Sequence, residues 1–213
     1  MKSERALQEK ELSILNRRLK QIEKATKRQW RFLFIWVILA AIVGIIVYNR
    51  LTKQEDRYLL FVTLAVYIGI GVWVVMEQRV KQSKEKKGIE YLKSKNLVTV
   101  IEVNSAIYYE LKEEDDEGVY YLFQLDENSV LSFGGQEFYE DENFPSNKFE
   151  IVEGRGINGE VLILEVFVSG ERIKPSKVIT GKEKWDLLQS DLYPDPEKLT
   201  IATGRIEDYI TRV

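Results

Sequence analysis

The chain has 213 residues and a formal net charge of −3, with no cysteine and no histidine. Those two absences exclude a disulfide framework, a thiol nucleophile, histidine-based triads and every ordinary His or Cys zinc site. The charge is divided: residues 1–96 carry 20 lysines and arginines against 9 acids, a net of +11, and residues 97–213 carry 11 against 25, a net of −14. An acidic half repels nucleic-acid phosphates, so no nucleic acid is expected as a partner.

Residues 1–29 are expected to form a cytoplasmic amphipathic or short coiled-coil helix. Positions 3–29 hold neither glycine nor proline and are rich in good helix formers. Leu12, Leu15, Leu19 and Ile22 alternate spacings of three and four, an a/d seam two heptads long. Such a stripe suits packing on the C-terminal domain, lying on a membrane surface, or joining a second copy.

Two apolar runs follow, over residues 30–48 and 58–76. Neither 32–47 nor 58–76 contains a charged residue. Each run has roughly the 20 residues a helix needs to cross about 30 Å of hydrocarbon, so the pattern predicts a two-helix transmembrane hairpin. Residues 49–57 form its short polar turn. Trp30, Tyr48, Tyr58 and Trp73 fall near the span ends, where amphipathic rings prefer the interface. Lysine and arginine crowd the outer flanks and are sparse in the turn. By the positive-inside rule this predicts an integral membrane protein with both termini cytoplasmic. The spans lack the central Asp, Glu, Lys, Arg or His that marks an ion path or proton relay. Ala40 with Gly44, and Ala65 with Gly69 followed by Gly71, have the small-residue spacing that lets helix backbones approach. They are candidates for packing within the hairpin or for a homo-oligomer.

Residues 77–96 read as a basic juxtamembrane connector that prolongs the second span. Lys81, Lys84, Lys86 and Lys87 are its candidate contacts to anionic lipid headgroups. Gly88 is expected to interrupt the helix.

From Leu97 the pattern turns extended, and residues 97–213 are expected to form an acidic cytoplasmic β domain. Strands are predicted over 97–103, 106–111, 119–125, 130–133, 149–153, 160–168, 172–174 and 199–202. Asn104 and Ser105 serve as a turn, and Asn158 with Gly159 as the central pair of a type I′ hairpin turn. A short helix is expected around 182–188, and the tail 206–213 fits strand or helix. Short strands joined by hairpins, without βαβ alternation, predict a mainly antiparallel barrel, roll or sandwich.

Little in this domain points to chemistry. Gly154, Gly156 and Gly159 spell G-x-G-x-x-G, but the third glycine opens a strand rather than a helix, so the motif reads as a hairpin loop. The acidic tip 113–117 has the composition of a weak Ca²⁺ or Mg²⁺ loop. Counted from Glu113 as an EF-hand, however, position twelve is Gln124, and a solvated loop is expected. Glu140, Asp141 and Glu142 make a second acidic cluster. Tyr108 with Tyr109, and Tyr120 with Tyr121, place one ring on each face of a strand, and the outward ring is a candidate to line a ligand surface. No catalytic, cofactor-binding or metal-binding residue is assigned. The expected function is that of a non-enzymatic membrane-anchored protein whose β domain binds a cytoplasmic protein partner or senses a small ligand. The hairpin serves as tether in the lipid bilayer and as an oligomerisation element. The alternatives are a ligand-triggered oligomerising effector that disrupts the bilayer, and a metal-dependent hydrolase built on the acidic loops.

Overall fold

Helix-forming and strand-forming parts of the sequence fold as two units in the computed structural model, which describes residues 2–190 and 193–210. One unit comprises Leu7–Asn96 with Arg155–Leu162; the other comprises Met1–Ala6, Leu97–Gly154 and Ile163–Val213.

The first unit is built on two antiparallel helices, α1 (Glu9–Tyr48) and α2 (Gln54–Lys95). At 1.5 Å per residue each is about 60 Å long. Both are long and apolar enough to cross a membrane, and only 11% and 6% of their most apolar stretches are buried. That exposure separates them from the core helices of a water-soluble globule. α1 starts at Glu9 rather than at residue 3, where the Glu11 carboxylate accepts the Gln8 N–H at 2.5 Å and closes the first turn. α2 ends on Asn96, whose left-handed backbone (φ 51°) sends its N–H back to the Leu92 carbonyl. The Asn96 side chain accepts the Leu7 N–H at 3.2 Å, tying the start of one helix to the end of the other.

Between those ends the helices keep one register. Lys93 donates to Asn16 at 3.0 Å, Thr26 to Gln82 at 3.0 Å and Gln29 to Gln78 at 2.8 Å. The a/d seam is thus spent within the chain: Leu15 is fully buried and Leu12, Leu19 and Ile22 are half-buried. Its partner, α2, was not among those the sequence suggested. Gly88 does not break α2. A Cβ there would lie 2.6 Å from Glu160 Oε1 and 3.3 Å from Leu162 Cδ1, and Arg18 Nη1 donates to the Leu162 carbonyl at 2.6 Å. The glycine admits the strand tip Arg155–Leu162 against the helix, and a helix this long tolerates its cost of about 1 kcal/mol.

The second unit holds nine strands among the described residues: β1 (Lys2–Arg5), β2 (Val98–Asn104), β3 (Tyr108–Leu111), β4 (Val119–Asp126), β5 (Ser129–Gly135), β6 (Lys148–Arg155), β7 (Val161–Val168), β8 (Lys177–Ile179) and β9 (Thr200–Thr203). They form a sheet of order β1-β2-β6-β7 and a second of order β8-β3-β4-β5-β9. Pairing is mainly antiparallel, as the alternation predicted; β3 with β8 is parallel. One face of the five-stranded sheet shares a core with the other sheet, in which Tyr121, Phe123 and Phe133 from one meet Phe149 and Ile151 from the other. Its opposite face is covered by α3 (Gly181–Leu188) and α4 (Ile206–Ile210), with Leu122, Leu187 and Ile206 in a second cluster.

Four expectations are corrected here. Residues 2–5 are a strand, because the edge of β2 satisfies their backbone over the register Lys2↔Ile101 to Arg5↔Val98. Asn104 and Ser105 do not close a hairpin, since β2 and β3 lie in different sheets. The strand expected over 172–174 shrinks to a single bridge, Ser146↔Arg172, and pairing resumes beyond Pro175 as β8. The β6–β7 loop is not type I′: Asn158 is not among the positive-φ residues, Gly159 N–H closes a turn onto the Gly156 carbonyl at 3.1 Å, and Gly159 alone is left-handed (φ 82°). That is the three-residue hairpin geometry. The tail forms α4 over its first part, and 211–213 lie outside the described residues.

Candidate functional site

The apolar band is the first candidate surface, and its sequence-predicted residues divide into inward and outward sets. Ala40 and Gly44 are buried against α2, where a Cβ on Gly44 would lie 2.7 Å from Leu64 Cδ1. Gly71 faces Trp36, whose Nε1 is 2.9 Å from the position of a Cβ. Trp36 in turn stacks on Tyr67 at 4.4 Å between centroids. Ala65 and Gly69 face outward instead, and nothing lies within 4 Å of a Cβ at Gly69. Gly71→Leu is therefore expected to destabilise the helix pair by about 1–3 kcal/mol through overpacking. Gly69→Leu should stay within about 0.5 kcal/mol. Thermal unfolding of the full chain in detergent micelles distinguishes them, and equal effects would refute the assigned helix faces.

The rings expected at the band's ends are all exposed: Trp30 53%, Tyr48 37%, Tyr58 73% and Trp73 66%. Two of them carry a guanidinium, with Arg79 4.5 Å from the Trp30 centroid and Arg57 4.6 Å from that of Tyr48. Arg57 also donates to the Leu51 carbonyl, which draws the basic side chain of the turn into its own backbone. The four connector lysines are exposed. Lys81 pairs with Glu77 at 2.9 Å and Lys86 with Glu90 at 3.8 Å, whereas Lys84 and Lys87 have no ion pair among the described residues.

The acidic tip is committed to the protein's own donors. Glu113 accepts Gly118 N–H at 3.3 Å and the Tyr139 hydroxyl at 2.8 Å. That bond, with burial second, pushes the Tyr139 hydroxyl up to about 12. Glu114 receives the Gly181 N–H at the start of α3 and the Trp185 indole at 3.1 Å. Glu117 pairs with Lys184, a fully buried lysine that also donates to the Lys112 carbonyl at 2.7 Å and lies over the Tyr120 and Trp185 rings. Among the described residues no group of three or more acidic side chains is arranged to hold a metal. Lys184 was missed in the sequence, although it stands three residues before the buried Leu187, a helical spacing that marks one face.

The paired tyrosines leave no bare aromatic face. Tyr108 and Tyr121 enter the inter-sheet core, and Tyr120, with Tyr109 packed beside it, belongs to the cluster under α3 and α4. What the pairs do position is a second unforeseen group. Glu110 stands directly across from Tyr121 in the β3–β4 ladder and is only 8% exposed. The nearest acid to it, Glu140, pairs with Arg172 at 2.6 Å. Burial first, then the charge of Glu140 nearby, push the Glu110 carboxyl above its ordinary range. An acid in a strand of otherwise apolar and aromatic residues was the available signal; Glu140 and Arg172, 30 and 62 positions on, carried none.

Comparison with known proteins returned no match: no family model, no curated protein and no solved structure is similar to this chain.

Proposed function

We propose that the chain is a non-enzymatic membrane-anchored protein. In this reading α1 and α2 cross the bilayer as a hairpin over residues 30–48 and 58–76, with both termini in the cytoplasm. The β unit, packed as a sandwich, binds a cytoplasmic protein partner, and its net charge of −14 over residues 97–213 favours a basic one. The observation that carries the reading is the band of exposed large apolar side chains, among them Phe34 at 68% and Leu59 at 65%, on helices with almost no buried surface there. In water such a band would aggregate. Its length of about 27 Å at 1.5 Å per residue suits a hydrocarbon core of about 30 Å.

The absence of cysteine makes the test direct. Thr52→Cys, in the turn, is expected to react with a membrane-impermeant maleimide on intact cells. Ser169→Cys, exposed in the β unit, should react only after lysis. The reverse pattern would overturn the orientation, and release of the chain by alkaline carbonate would overturn the anchor. Reconstituted into dye-loaded vesicles, the chain should leave them intact; leakage would favour the membrane-disrupting effector instead.

A further inference from the structure

A groove between α1 and α2 straddles one end of their apolar stretches. Ala25, Arg28, Gln29 and Phe32 supply its α1 wall, Val74, Val75 and Gln78 supply its α2 wall, and its volume is about 270 Å³. Positions 25, 28, 29 and 32 recur at the three- and four-residue spacing of one helix face, as do 74, 75 and 78. Phe32, Val74 and Val75 belong to the apolar runs, whereas Arg28, Gln29 and Gln78 lie just beyond them. Gln29 donates to Gln78 at 2.8 Å, so an amide pair bridges the helices at the polar end. The groove is thus apolar toward the middle of the hairpin and polar toward its base.

Cations gather at that polar end, and free acids do not. α1 carries Lys24, Lys27, Arg28 and Arg31 there and has no acid from Lys24 to Tyr48. Between Arg57 and Lys84, α2 has only Glu77, which Lys81 neutralises at 2.9 Å. Arg28 is the cation in the wall itself. Its side chain is exposed and makes no hydrogen bond or ion pair among the described residues. A guanidinium stays charged at any physiological pH, and its planar fork matches two phosphate oxygens at once. Another groove, of about 340 Å³, lies toward the opposite end of the apolar stretches beside Gly44, Tyr48, Phe61 and Leu64, with no charged side chain in its wall. Charge therefore distinguishes two grooves of similar size.

We propose that the groove formed by residues 25–32 and 74–78 binds one anionic phospholipid, an inference that rests on the membrane-anchored reading above. An acyl chain lies on Phe32, Val74 and Val75, and the headgroup phosphate takes Arg28 as its counter-ion beside the Gln29–Gln78 pair. With both termini cytoplasmic, this end of the hairpin meets the cytoplasmic leaflet, where anionic lipid supplies the matching charge. The connector lysines Lys81, Lys84, Lys86 and Lys87 differ in kind, since they offer charge with no apolar groove beside it.

The test uses the full chain in micelles of an uncharged detergent, with native mass spectrometry to read bound lipid. Phosphatidylglycerol should be retained at one molecule per chain and should outcompete phosphatidylcholine by about tenfold. Glycerol 3-phosphate, which has the phosphate without acyl chains, should not bind. Arg28→Gln should weaken phosphatidylglycerol by about tenfold. Val74→Trp fills the apolar wall without changing charge and should weaken it as well. Lys86 stands about 12 Å along α2 from Gln78, beyond the Debye length of about 8 Å at physiological salt. Lys86→Gln should therefore change the affinity by less than about twofold. Equal retention of the two lipids, equal losses in Arg28→Gln and Lys86→Gln, or undiminished binding in Val74→Trp overturns the site. So does a second copy of the chain that occupies the groove in place of lipid. The comparison of the two lipids needs no variant to fold. Failure of the anchor itself reads out separately, as release by alkaline carbonate.

Discussion

Replacement of Phe133 by alanine is expected to lower the unfolding free energy of the β unit by about 3–5 kcal/mol. Phe133 is fully buried, and its ring lies 5.4 Å from Tyr121, 5.8 Å from Phe123, 5.0 Å from Phe138 and 6.0 Å from Phe149. It therefore touches its own sheet, the following turn and the opposite sheet at once. No single neighbour can collapse into the space it leaves, because those rings hold each other at tilted and edge-on angles. The cost is lost transfer energy plus the remaining void. Amide exchange in β4 and β5 should accelerate by two to nearly four powers of ten, at about 1.4 kcal/mol for each tenfold step. Ile157→Ala, at an exposed loop position, should change nothing beyond about 0.5 kcal/mol. A loss under about 1 kcal/mol at Phe133 would mean that the two sheets do not share one core.

Lys184→Met should cost about 3 kcal/mol by a different route. Methionine keeps the length of the side chain between the Tyr120 and Trp185 rings but leaves Glu117, 17% exposed, without its cation. Removing one partner of a buried pair costs about 3–5 kcal/mol, and the lower end applies because Glu117 keeps backbone N–H donors from Glu114 and Asp115. Lys184→Met with Glu117→Gln should recover most of the loss, since no buried charge then stands alone. The deficit also depends on pH. Burial pushes the Glu117 carboxyl up, but Lys184 and the backbone N–H groups outweigh it and hold the group down at about 2. The pair's contribution is complete above the ordinary carboxyl value near 4.5 and fades as pH falls toward 2. Denaturant unfolding of the single variant and the unsubstituted chain should therefore converge in acid; a constant gap would refute the ion pair as the cause.

Local rules made much of the architecture legible. Two runs of uncharged apolar residues could only be long helices, and the absence of glycine and proline before the first run carried the helix back to residue 3, six residues beyond its start at Glu9. Alternation and turn residues located β4, β5, β6 and β7 to within two or three residues, since strand and hairpin preferences are decided by neighbours in the chain. Those same preferences do not say which surface a residue will meet. Ala40 and Ala65 look alike in sequence, and only the packing of α1 on α2 buried one and left the other outward. β1 required an edge of β2 nearly a hundred residues away, and β8 required β3.

The same distinction holds at the polar sites. The acidic tip was visible as charge, but its role as the cap and counter-ion of α3 depended on residues 181–185 arriving beside it. Glu110 was visible as an acid among apolar neighbours, but its burial and its place beside Glu140 depended on segments distant in the chain. Helix, strand and apolar run follow from energies set within a few residues of one another. Burial, pairing and protonation follow from contacts between distant segments, and those exist only once the chain has folded.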